Sequence, residues 1–300
     1  MSKSCAPDGL IIINKPKDIT SQGVVSRTKR LLGSDKAGHT GTLDPLATGV
    51  LPVLLGRAVK ASEYMLCDDK HYGAVLLLGF TSDTEDVTGT LAVGGDVPCE
   101  STVLSAISDF VGEIMQTPPM YSALKVGGKK LCDLARAGVT VEREARKVTV
   151  YSIEARRISD SEYYLDVRCS KGTYIRTLCA DIGKRLGCGG VMKSLERLSA
   201  SGFSVSEAVT LEELEAMGES ERRAFIIPVE RIFEKYQAVT LPDFFARLAH
   251  SGLEIYLKKI GLELGIGERV RICDKDGFFA LGEVREFDNG TAIKPIKQFR

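Results

Sequence analysis

Apolar runs of strand length and helical stripes follow one another along these 300 residues without a strict β-α alternation, and that order constrains the fold more than any other feature. It suggests an α+β fold with a mixed, mainly antiparallel sheet. Leu10 to Ile13 reads as a buried strand ended by Asn14-Lys15-Pro16. Thr20 then caps a helix whose apolar positions Val24, Val25, Leu31 and Leu32 end at Gly33. Strands are expected over Val50 to Leu55 and Tyr72 to Phe80, with a helix over Arg57 to Cys67 between them. Val103, Leu104, Ile107, Phe110 and Val111 share a helical stripe. Val148 to Ile158 and Tyr163 to Cys169 alternate like antiparallel strands, and Gly172 leads into a helix with Ile175, Leu178, Cys179, Ile182 and Leu186 inward. Thr210 and Glu213 have the spacing of a capping box, so a short acidic helix starts there. After about Tyr236 the texture changes to short strands with Asp276-Gly277 and Asn289-Gly290 hairpin turns. Residues 1–235 therefore read as one domain and 236–300 as a small β-rich one.

The longest stretches without a charge, Pro45–Gly56 and His71–Ser82, are too short for a membrane helix, which needs roughly 20 apolar residues. Met1 to Ile13 lacks the apolar region and cleavage site of a secretory signal, so a cytoplasmic location is expected. Eight cysteines (5, 67, 99, 132, 169, 179, 188 and 273) include no C-x-x-C pair, and His39, His71 and His250 are scattered. These cysteines read as small buried apolar residues with free thiols, not as a zinc site. Net charge is zero but unevenly spread: seven basic against three acidic residues in Tyr121–Lys147, and eight acidic against four basic in Val205–Lys235. The basic stretch, with Gly127-Gly128 and Gly138, looks like a mobile insertion between two halves of a sheet domain.

Gly38 to Gly49 holds three glycines, three threonines and a proline, the composition of a structured loop. Within it, Asp44 precedes Pro45, which fixes the turn behind the carboxylate. An isolated Asp-Pro most often initiates a turn and nothing more. The whole segment Gly38-His39-Thr40-Gly41-Thr42-Leu43-Asp44-Pro45-Leu46-Ala47-Thr48-Gly49-Val50-Leu51, however, resembles the catalytic-loop signature of the TruB family of tRNA pseudouridine synthases. Asn14-Lys15-Pro16, Lys70-His71-Tyr72, Pro119-Met120-Tyr121-Ser122-Ala123-Leu124-Lys125 and Ser170-Lys171-Gly172-Thr173-Tyr174-Ile175-Arg176-Thr177 also resemble family blocks, in order, over about Gly9 to Leu198. The C-terminal segment resembles the family's PUA domain more loosely.

The resemblance implies an isomerase of pseudouridine synthase fold that converts uridine 55 in the T loop of tRNA to pseudouridine. The enzyme would flip the base and use one aspartate, with no cofactor or metal. Asp44 matches the catalytic aspartate, Arg176 the arginine paired with it, and Tyr72 the tyrosine that stacks on the target base. Tyr174 would help wall the pocket, His39 would contact RNA near the extruded nucleotide, and Lys15 and Lys60 would supply phosphate or structural contacts. A carboxylate in a base-sized pocket tends toward protonation through desolvation, which the guanidinium opposes. The basic insertion would clamp the RNA loop, the PUA-like domain would contact the acceptor-stem end, and the chain would act as a monomer without a protein partner. Three rivals remain: a non-catalytic RNA chaperone, a guide-RNA-dependent relative working in a particle, and a carboxylate hydrolase. The hydrolase would need a second acid from Asp83, Glu85 or Asp86, but Thr81–Gly89 reads more simply as a polar turn.

Overall fold

The computed structural model describes residues 7–65 and 69–300. The end of the helix expected over Arg57–Cys67, the cysteines Cys5 and Cys67, and Met1–Ala6 of the segment read against a secretory signal lie outside that range. Gly9–Lys15 forms β1, Ser21–Leu32 α1, Ala37–His39 a short β2 and Thr48–Leu55 β3. Strands β1 and β3 pair antiparallel from Gly9↔Leu55 to Lys15↔Gly49. Leu10 to Ile13 are at most 1% exposed, because β1 is covered on both faces. Each such aliphatic side chain contributes about 1.5–3 kcal/mol. Helix α1 is bounded as its sequence predicts: the Thr20 hydroxyl accepts from the Gly23 amide, and Gly33 turns left-handed at φ 62°.

Lys70–Leu78 (β4), Glu100–Ser108 (α2), Gly112–Gln116 (β5), Arg146–Arg157 (β6), Glu162–Cys169 (β7), Ile175–Leu186 (α3), Gly190–Ala200 (β8) and Phe203–Ser204 (β9) complete the main unit. Its nine-stranded sheet has the order β1-β3-β8-β4-β7-β6-β5, with β2 added to β3 and β9 to β8. The pair β8–β3 is parallel and the other pairs are antiparallel. Val103 and Ile107 of α2 and Ile175, Leu178, Cys179 and Ile182 of α3 join Leu76, Leu78, Leu165 and Val167 in one core. Leu43, Leu46 and Ala47 belong to that same core, so the loop bearing Asp44 is packed against the helix bearing Arg176.

Several local expectations are corrected. The segment after β3 is not one helix: Gly56–Ala61 is a 3-10 turn, followed by a short α-helix over Ser62–Met65. Gly56 is left-handed at φ 57°, and the Asp8 carboxylate takes both the Arg57 amide and its Nε at 2.6 Å, which ties down the first turn. Helix α2 ends at Ser108, so Phe110 and Val111 lie beyond the stripe, and Val111 is exposed. Cys169, Cys179, Cys188 and Cys273 are buried as expected, whereas Cys99 is exposed and Cys132 half-buried. The basic insertion leaves from β5 and returns through β6, which are neighbours at one edge of the sheet. It is an excursion from an edge pair, not a link between halves. It holds a two-residue hairpin, Lys125–Val126 with Lys129–Lys130, turned by Gly127 and Gly128 at positive φ, and a helix over Leu131–Arg136. Its residues are mostly exposed, with Leu131 as a buried anchor; the side chains of Lys125 and Lys130 are outside the description.

A second, five-stranded sheet is built from Gln237–Thr240 (β10), Ile255–Tyr256 (β11), Arg269–Asp274 (β12), Gly277–Phe287 (β13) and Gly290–Gln298 (β14), in the order β10-β12-β13-β14-β11. The expected turns at Asp276-Gly277 and Asn289-Gly290 join its two hairpins. Phe233, Leu281, Phe299 and Ala61 form a common cluster that joins this sheet to the main unit. Among the described residues no helix is long and apolar enough to cross a membrane.

Candidate active site

The Asp44 loop is irregular in backbone but fastened at many points. Leu43, Leu46 and Ala47 turn into the core, which leaves Asp44 facing the other way. Ser21, the first residue of α1, both receives the Leu43 amide and donates to the Leu43 carbonyl, at 2.8 and 3.0 Å. The Asp18 amide donates to the Pro45 carbonyl at 2.8 Å, and the Ala47 amide closes a turn on the Asp44 carbonyl at 3.0 Å. Lys15, at the end of β1, is fully buried and donates to the carbonyls of Pro16, Pro45 and Ala47 at 2.9, 3.1 and 2.6 Å. An ammonium has three N–H donors, and all three are engaged by backbone. Of the two contacts expected of Lys15, it makes the structural one. Burial lowers its pKa to about 8, against the opposing pull of Asp44 and Asp18.

Arg176 is the second residue of α3, whose start is strapped by Gln116: the side-chain amide accepts from the Tyr174 amide at 3.0 Å and donates to the Tyr174 carbonyl at 3.2 Å. The Arg176 guanidinium, only 4% exposed, donates from Nη2 to Asp44 Oδ1 at 3.1 Å, and its Nε lies 2.9 Å from Oδ2 as an ion-pair contact. A charge-assisted hydrogen bond of this kind suits an ionised carboxylate. Its other donors go to the carbonyls of Thr84 at 3.2 Å and Tyr121 at 2.8 Å. The arginine thus joins the catalytic loop, the turn after β4 and the first residue of the basic insertion. Burial raises the Asp44 pKa above the ordinary carboxylate value, with Arg176 pulling it down, Asp86 pushing it up and Lys15 pulling it down again. The Asp44 side chain keeps a third of its surface open, so the carboxylate is reachable while its counter-ion is not.

Asp86, which the sequence offers only as a second acid for a hydrolase and otherwise as part of a polar turn, belongs to this site. It is 4% exposed, and its Oδ2 lies 3.9 Å from Arg176 Nε, a second carboxylate on the same guanidinium. Its Oδ1 accepts from Thr84 Oγ1 at 2.7 Å, from the Thr88 amide at 2.9 Å and from Thr88 Oγ1 at 2.5 Å. The available signal was a threonine two residues to either side of the aspartate, which supplies hydroxyl donors at turn spacing. Glu85 turns away and accepts from Thr177 Oγ1 at 2.6 Å.

The remaining candidates are placed unevenly. Tyr72, on β4, is 7% exposed and packs in the core that includes Leu43 and Leu46; burial raises its pKa. Tyr174 is half-buried beside Arg176, its pKa also raised by burial. His39 ends β2 and is half-buried, with Nδ1 buried and without a hydrogen-bond partner among the described residues. Burial, with help from Arg197, holds its imidazole neutral. Lys60 is not brought to this site. It lies beyond the far end of β3, eight residues of strand from the Asp44 loop, and donates to the Gln298 carbonyl of the second sheet at 3.1 Å.

Comparison with known proteins bears on the family. The family of TruB pseudouridylate synthases matches through its N-terminal domain over residues 29–175, and the tRNA pseudouridylate synthase B C-terminal domain matches over 176–234. A relative from Alkaliphilus oremlandii named tRNA pseudouridine synthase B is 41% identical over 296 residues, 98% of both chains. One of the same name from Methylobacillus flagellatus is 43% identical over 278 residues, 92% of this chain and 91% of that one. Among solved structures, a Cbf5-Nop10-Gar1 complex contains a chain that superimposes with a TM-score of 0.70 at 29% identity, covering 97% of this chain and 85% of that one.

Proposed function

The chain belongs to the TruB family of pseudouridylate synthases, and from that premise we propose that it isomerises one uridine of tRNA, position 55 in the T loop, to pseudouridine. The observation that carries the reading is the hydrogen-bonded ion pair between Asp44 and the buried Arg176, on a loop whose backbone is fixed by buried donors. The reaction breaks the bond from uracil N1 to ribose C1′, turns the base and rejoins it through C5; the C5 proton is lost and N1 gains one. It needs neither oxidant nor water. The target lies inside a folded loop, so the base must be extruded, at a cost of roughly a few kcal/mol of stacking and pairing. In this reading Asp44 is the catalytic group, Tyr72 and Tyr174 receive the base, and His39 contacts the RNA near the extruded nucleotide. Lys15 holds the loop, and Lys60 works at the junction with the second sheet.

Residues 1–235 form the catalytic domain and 236–300 a PUA-like RNA-binding domain, while 121–147 clamps the T loop. The clamp's tie to the site is the Tyr121 carbonyl on Arg176. The chain acts in the cytoplasm as a monomer. A guide-RNA-dependent relative working in a particle is the rival, but identities of 41% and 43% to relatives named tRNA pseudouridine synthase B, against 29% to a chain of a Cbf5-Nop10-Gar1 complex, favour the stand-alone form. Incubating the purified chain with tRNA transcripts, without guide RNA, partner or cofactor, and mapping pseudouridine is expected to give one modified position in the T loop. Product elsewhere, or none, would overturn the reading.

A further inference from the structure

Arg197 is 1% exposed and stands at the centre of the sheet. On β8 it lies opposite Gly49 of β3 on one side and Tyr72 of β4 on the other. Its Nε donates to the Val50 carbonyl at 2.7 Å and its Nη2 to the Gly41 carbonyl at 3.1 Å. These carbonyls flank the loop that carries Asp44, one at either end. Buried guanidinium groups are ordinarily neutralised by a carboxylate, yet among the described residues Arg197 makes no ion pair with one. Glycine at 49 lets β3 approach the Arg197 backbone closely, since a Cβ there would stand 2.3 Å from the Arg197 carbonyl oxygen. Gly49 and Gly41 both have positive φ, 99° and 90°. On its other flank stands Tyr72, its direct cross-strand partner on β4.

Resting on the functional reading above, we propose that Arg197 is a positioning residue: a single buried cation clasps both ends of the Asp44 loop and holds the Tyr72 ring, fixing the carboxylate and the base platform relative to each other. Its charge also adds to burial in keeping His39 neutral. Arg197 does not touch the reacting atoms in this account; it acts through Asp44 and Tyr72.

The test uses the full chain with Arg197→Met and Arg197→Lys, read by amide hydrogen exchange, tRNA affinity and single-turnover rate. For Arg197→Met, exchange across residues 41–49 is expected to rise about tenfold or more while the second sheet is unchanged. The single-turnover rate should fall about 100-fold, the effect expected of a small misplacement, and the tRNA Kd should move less than about threefold. Arg197→Lys, whose ammonium keeps the charge but not the fork, should recover part of the rate. Loop exchange equal to wild type, affinity lost in proportion to rate, or a lysine variant no better than methionine would overturn the proposal. If Arg197→Met does not fold, the exchange and rate of Arg197→Lys decide alone. A wild-type chain that makes no pseudouridine would refute the functional reading, and loop exchange would still judge Arg197, since it needs no turnover.

Discussion

The Asp44 loop and the basic insertion each carry three glycines and lack long regular elements, yet they are held very differently. Between Gly41 and Val50 the loop spends its carbonyls on Lys15, Ser21 and Arg197, and three of its side chains lie in the core. The insertion has Leu131 buried, the Arg143 guanidinium on the Pro118 carbonyl at 2.8 Å and the Tyr121 carbonyl on Arg176, while most of its remaining surface is open. Glycine content therefore does not set stiffness here. What sets it is whether buried donors reach the backbone, because a buried polar group left unpaired is costly. A rigid loop suits a carboxylate that must be aimed; an open one suits a surface that must close on RNA.

Breaking the rigid half should have the largest effect. Arg176→Met removes the ion pair and is expected to lower turnover by about 10³-fold. It should also move the acid limb of the pH–rate profile. Asp44 already sits above the ordinary carboxylate value because of burial, with Arg176 as the first force pulling it down. Activity needs the ionised form and is lost as pH falls through the folded pKa, so without the guanidinium the loss should begin at higher pH. A profile displaced to lower pH, or not displaced, would show that Arg176 does not control this carboxyl.

The open half should respond in affinity rather than in chemistry. Lys129→Glu with Arg136→Glu is expected to weaken tRNA binding by about tenfold and to flatten its log–log salt dependence by about two, roughly 0.9 for each lost phosphate contact. The rate at saturating tRNA should hold. Added tRNA should protect residues 121–147 from protease, and protection that does not change would sink the clamp.

The smallest effect concerns Lys15. Its folded pKa, about 8, is below the ordinary lysine value, so the unfolded chain binds this proton more tightly. Its contribution is complete above the unfolded value and is lost as pH falls through about 8. The melting temperature of wild type should therefore gain on that of Lys15→Met between pH 8 and 10, on the order of a few degrees. Calorimetry in parallel buffers checks this, and a constant difference would contradict it.

Much of the fold was legible because local chemistry and tertiary context agreed. Thr20 and Gly33 bound α1, Thr210 and Glu213 close their capping box, and Asp276-Gly277 and Asn289-Gly290 turn their hairpins as spacing predicts. Family resemblance, not periodicity, singled out Asp44 and Arg176, which are 132 residues apart in sequence and in contact in the fold. What stayed hidden depends on long-range burial. Asp86 reads as one more polar turn residue until Arg176 arrives beside it. Lys15 is expected only to supply a phosphate or structural contact and Arg197 carries no expectation, because nothing near them in sequence reveals that the sheet closes over both. Lys60 was expected near the site, but the length of β3 carries it away.

The most direct test of the account is a single-turnover assay of wild type and Asp44→Asn on the same tRNA, scoring bound RNA and pseudouridine together. The account predicts equal binding within about threefold, with product from wild type and a rate at least about 10⁴-fold lower, at background, from Asp44→Asn. Pseudouridine formed by Asp44→Asn at a rate near wild type would contradict it.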